Sequence, residues 1–159
     1  MNTEKAKLRR YEDDLNVSGT GVIIMGAWSV VRVLIELFLN SKEYLNYGNE
    51  DPESAMLNIV VAIALIVIIS FVIMKVHLYI GLNAMRAAKG MEHKEGYFVA
   101  AIIIAVLSVL SLYTYKDQLQ IIERIDTTLA SILVDITTIY IFIVVIVSSI
   151  RIKRIKGDS

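Results

Sequence analysis

Apolar residues gather into four long runs separated by short polar stretches: Val17 to Leu39, Met56 to Leu82, Tyr97 to Tyr115 and Leu129 to Ile150. A helix rising about 1.5 Å per residue needs roughly 20 residues to cross about 30 Å of hydrocarbon, and each run meets that length. The helix of a soluble domain carries one apolar stripe, whereas these runs are apolar on nearly every side. The pattern predicts an all-α, polytopic membrane protein: a four-transmembrane-helix bundle with spans at about 17–39, 56–82, 97–115 and 129–150. Composition agrees, since 56% of the 159 residues are hydrophobic, more than a soluble domain of this size needs.

The polar intervals refine the elements. Residues 1–16, MNTEKAKLRRYEDDLN, predict a short amino-terminal segment that reads more simply as a solvated arm than as an interfacial helix. The first run follows this polar segment and carries Arg32 and Glu36, so it is expected to stay in the mature protein as a span. Asp51, Pro52 and Glu53 have the order of an N-cap, a first helical residue and a dipole-compatible acid, which places the start of the second helix there. Gly81, Ala84, Ala87 and Ala88 leave room for a neighbouring helix, and Gly90 offers a C-terminal stop.

No glycine or proline occurs between Gly96 and Gly157, yet the chain must reverse there. Leu119, Ile122, Ile125 and Leu129 form an apolar stripe, which predicts a short interfacial helix before the fourth span with a bend near Thr127 and Thr128. An alternating three-and-four spacing from Ile122 through Ile125, Leu129, Ile132, Ile136, Ile139, Ile143 and Ile146 to Ile150 offers a bundle or homo-oligomer seam. Tyr44, Tyr47, Tyr97, Phe98, Tyr113 and Tyr115 stand near run ends, where interfacial aromatics anchor helices.

Sixteen basic and sixteen acidic residues give no net charge, but their distribution orients the chain. Lys5, Lys7, Arg9, Arg10, Arg86, Lys89, Lys94, Arg151, Lys153, Arg154 and Lys156 fall on one side, against Lys42, Lys116 and Arg124 on the other. Cytoplasmic loops retain Lys and Arg, so both termini are expected inside, with 151–159 a basic cytoplasmic tail. The chain should reside in the cell membrane as a multi-pass protein, with the lipid bilayer as its first partner.

Two charges interrupt the first run: Arg32 and Glu36. A charged group facing lipid at the bilayer centre costs about 2.5 kcal/mol or more, so these side chains should face protein or water. Ser29 shares their helix face, and Ser131, Asp135 and Thr138 form a matching polar face at similar depth in the fourth span. Helices one and four are therefore expected to be neighbours, with Arg32 near Asp135. An ion-paired clamp between helices is the plainer reading of this group; a site binding cations or carrying protons is the sharper one. Ser70 and His77 mark a possible second polar face, while Lys75 can snorkel to the headgroups.

Cysteine is absent, which excludes disulfides and thiolate metal sites. Neither HExxH, a Walker loop, a GxSxG elbow nor a Rossmann glycine pattern occurs, and no nucleic-acid patch, cofactor or metal site is expected. The loops are too short for a catalytic domain, so no enzyme is expected either. The expected role is that of an assembling or interaction subunit, as a homo-oligomer or as the partner of a larger membrane complex. The alternative is an oligomeric channel or transporter for a cation or small solute, using the polar site in the outer half of the bundle.

Overall fold

A computed structural model describes residues 2–45, 52–118 and 125–157. They form four α-helices: α1 Asn2–Leu45, α2 Pro52–Ala88, α3 Gly96–Gln118 and α4 Ile125–Gly157, with no strand among the described residues. All four are long and apolar enough to cross a membrane, the architecture of a multi-pass membrane protein. Helices close every backbone hydrogen bond internally, as hydrocarbon requires.

α2 begins at Pro52, as expected, while its anticipated cap Asp51 lies outside the described residues. It stops where Gly90 adopts φ +65°. There Met91 N–H donates to Arg86 O at 2.9 Å and Gly90 N–H to Ala87 O at 3.1 Å, so two otherwise orphaned carbonyls are satisfied in a Schellman arrangement. Buried Asn83 then ties the turn to its helix: its Nδ2 donates to Tyr79 O at 2.7 Å and its Oδ1 accepts from Lys94 N–H at 2.9 Å.

Two expectations are corrected. Residues 2–16 are not a solvated arm but the first turns of a 44-residue α1, about 66 Å long and twice the thickness of the hydrocarbon. Leu8, Tyr11 and Leu15 recur at helical spacing and pack on the core, Leu15 fully buried, and Glu12 pairs with Lys156 of α4 at 3.0 Å. The helix persists because the core and α4 give it a partner there. Second, α4 is already helical from Ile125, so the expected bend at Thr127 and Thr128 is not there. Residues 119–124, and with them Leu119 and Ile122, half of the expected interfacial stripe, lie outside the described residues.

α1 packs most extensively on α2 and next on α4, and α3 packs on α4; consecutive α2 and α3 touch little. The core is concentrated at the end of the bundle that carries both termini and the 89–95 turn. Leu15 and Val22, Ile80 and Ala84, Tyr97 and Ala101, and Phe142 and Val145 meet there. Small residues permit the closest approach. Gly19 and Gly81 face one another so tightly that a Cβ on Gly81 would lie 2.5 Å from Gly19 O, and Gly26 lies directly against His77.

The isoleucine spacing in α4 does not form the internal seam. Leu129, Ile136, Ile143 and Ile150 point outward, Ile146 packs part-buried against the core, and the buried side chains are Thr128, Phe142, Val145, Ser148 and Ile152. Where most positions are apolar, spacing alone cannot tell the lipid face from the protein face.

Candidate functional site

The face of α1 that holds Gly21, Met25, Ser29 and Arg32 turns toward α4, with Gly21 against Ile141. One turn beyond Ser131, α4 passes Arg32 with Asp135. Arg32 Nη1 stands 3.5 Å from Asp135 Oδ1, and Nη2 donates to the Tyr115 hydroxyl at 2.8 Å. Tyr115 in turn donates to Asp135 Oδ2 at 2.6 Å. Three groups from α1, α3 and α4 thus close a ring. One cation meets one carboxylate, and the phenol both accepts from the first and donates to the second.

Charge-assisted bonds are the stronger kind, and here they operate in a partly dry setting, the Arg32 side chain 32% and that of Asp135 17% exposed. Both carboxylate oxygens of Asp135 are engaged. Within the ring the arginine meets a carboxylate on another helix, which is what a tie between helices requires. Binding a free cation at Asp135 would require displacing Arg32 or Tyr115.

Of the other residues predicted for this site, Ser29 donates to Met25 O at 2.9 Å and Thr138 to Val134 O at 2.9 Å, each hydroxyl satisfied by its own helix. Ser131 is half-buried one turn before Asp135. The side chain of Glu36 lies outside the described residues. Tyr115 was assigned to the membrane interface by its position and instead belongs to the ring. Tyr113 is 78% exposed and Tyr115 only 4%. Two residues apart on a helix is about 200° of rotation, so the pair could not share a face, and that geometry was the available signal.

His77 is buried, its Nδ1 2.9 Å from Ile73 O and its ring edge-on to Phe142 at 5.9 Å. Its contact with Gly26 places it about 9 Å further along α1 from Arg32, so it is no part of the ring. Ser70 Oγ is buried with no hydrogen-bond partner among the described residues. Lys75 is exposed, and its Nζ lies 4.9 Å from the Phe71 ring centroid. Helical side chains lean toward the N-terminus of their helix, and the aromatic face compensates the cation.

A further polar contact lies at the densely packed end. Ser149 donates to Val145 O at 2.7 Å and receives the Tyr97 hydroxyl at 2.9 Å, so Tyr97, expected at the interface, is instead buried between α3 and α4. Among the described residues no group of three or more His, Asp or Glu gathers as a metal site would require. No family model matches the chain, and neither a curated protein nor a solved structure matches it.

Proposed function

We propose that this chain is a subunit of the cell membrane that works by assembly, with itself or with a larger membrane protein, and that both termini are cytoplasmic. The observation that carries this reading is the state of α2 away from the core. From Met56 to Val72 its large apolar side chains are exposed around nearly the whole circumference, including the successive Val67, Ile68 and Ile69. None of the most apolar stretch of α2 is buried by its own chain. This exposed stretch of α2, beyond its packing on α1, offers a surface for another transmembrane helix, whose association rests on packing rather than on hydrophobic transfer.

The Arg32, Tyr115 and Asp135 ring supports assembly over conduction, because a pathway needs groups that exchange partners. The absence of cysteine makes the test clean. Single cysteines replacing Val61, Leu65 and Ile68 in turn, oxidised in native membranes, should cross-link the chain to itself or to one discrete partner from one face of α2. A single-chain mass in mild detergent with no cross-link from any of these positions would refute the proposal. The purified protein in liposomes should show no ion flux.

Orientation has its own measurement. Cysteine replacing Asn46 should react with an impermeant thiol reagent on intact cells, and cysteine replacing Met91 should react only after lysis. Labelling of the Met91 position from outside would reverse the proposed topology.

A further inference from the structure

The faces that α2 and α4 turn to lipid continue, without change of helical phase, into pairs of cations. On α4 the exposed residues Ile136, Tyr140, Ile143, Val147 and Ile150 recur at alternating four and three. Four residues on, the next position of that stripe is Arg154, with Arg151 beside it, both exposed. On α2 the exposed Tyr79 and Leu82 lead, at the same spacing, to exposed Arg86 and Lys89. In each helix the first cation in the stripe's register, Arg86 on α2 and Arg154 on α4, stands about 6 Å beyond the last exposed apolar side chain, the depth at which headgroup phosphates begin.

Two contrasts separate these four residues from the general basic character of this end. Lys153 and Lys156, on the same tail of α4, pair with the acids of neighbouring elements, Lys153 with the equally exposed Glu95 at 3.5 Å and Lys156 with Glu12 at 3.0 Å. Arg86, Lys89, Arg151 and Arg154 have no ion pair among the described residues; the same holds for the exposed Lys5, Lys7, Arg9, Arg10 and Lys94, so it is the phase with the two apolar stripes that sets these four apart. In α1 and α3 the corresponding positions are acids: exposed Val17 is followed toward the terminus by exposed Asp13, and exposed Val99 is preceded by exposed Glu95. Topology determination requires only that cations be on this side; it does not place them in phase with two lipid-facing stripes.

We propose that Arg86 with Lys89, and Arg151 with Arg154, form two separate seats for the phosphates of anionic phospholipids, on the faces of α2 and α4. The proposal rests on the bilayer-spanning reading of the helices and is independent of the proposed assembly. Arg supplies a planar fork suited to phosphate oxygens, and a neighbouring cation one turn away holds the same headgroup or the next.

The test compares melting of the full chain in nanodiscs of phosphatidylglycerol and of phosphatidylcholine. Wild type should melt higher in phosphatidylglycerol. Arg86→Gln with Lys89→Gln should remove about half of that shift, Arg151→Gln with Arg154→Gln the other half, and the fourfold variant all of it. Melting and helix content in phosphatidylcholine should stay at wild-type values, which excludes misfolding as the cause. Lys153→Gln with Lys156→Gln removes equal charge from the paired face and should keep the difference between the two lipids. Loss of that difference in this control would mean that diffuse charge, not the seats, attracts the lipid, and would overturn the proposal. So would equal melting of wild type in both lipids, or reproduction of the shift by inorganic phosphate in phosphatidylcholine, which would point to a free anion instead.

Discussion

Arg32→Leu is expected to destabilise the bundle by about 2 to 3 kcal/mol, more than Arg32→Leu combined with Asp135→Leu. The single change leaves the Asp135 carboxylate within a largely apolar site with only the Tyr115 hydroxyl to stabilise it, whereas the double change removes both charges. The expected cost lies below that of fully buried pairs because a third of the Arg32 side chain is exposed and water screens it. Tyr115→Phe keeps the ion pair and loses one bridging hydroxyl, for about 1 kcal/mol, while Tyr113→Phe on the lipid face should be close to neutral. A thermal double-mutant cycle in nanodiscs decides the matter: additive losses for Arg32 and Asp135 would mean that the two groups do not support one another.

Gly81→Ala should cost about 3 kcal/mol, and Gly26→Ala a similar amount, through overpacking at the crossing of α1 and α2. At Gly81 the new methyl would meet Gly19 O and the Ile23 side chain, both at 2.5 Å, and at Gly26 it would collide with His77. Backbone cannot yield as a flexible side chain can, so the helices must separate and give up the contacts around Ile80 and Ala84. Gly21→Ala provides an internal scale, since its methyl would lie 3.3 Å from the end of Ile141 and should cost about 1 kcal/mol at most. If Gly81→Ala melts with the wild type, the helices do not cross there.

Much of this architecture was legible because lipid imposes simple demands. Length and apolarity marked four spans, Pro52 and Gly90 marked the two ends of α2, and the cost of unpaired charge brought Arg32 to Asp135. What escaped depended on rotation about a helix or on partners distant in sequence. Tyr115 resembled an anchor until its phase relative to Tyr113 was known. The helical fate of residues 2–16 depends on docking Leu8, Tyr11 and Leu15 on the core and Glu12 on α4, contacts that no local propensity encodes. Gly81 announced a close approach, but its partner Gly19 could be recognised only once the register of α1 on α2 was fixed.

The concentration of the core at one end makes the bundle unequally responsive to the thickness of its bilayer. α1, α3 and α4 are tied twice along their length, by that core and again by the Arg32, Tyr115 and Asp135 ring, so their mutual tilt is set by protein. α2 packs extensively on α1 through the Gly19–Gly81 crossing and the contact of Gly26 with His77, but it takes no part in the ring, and its stretch from Met56 to Val72 is largely exposed. A thinner membrane is accommodated by greater tilt of the helix least constrained by neighbours. α2 is therefore the element that leans when the surrounding lipid shortens, pivoting about its glycine contact while the other three keep their angles.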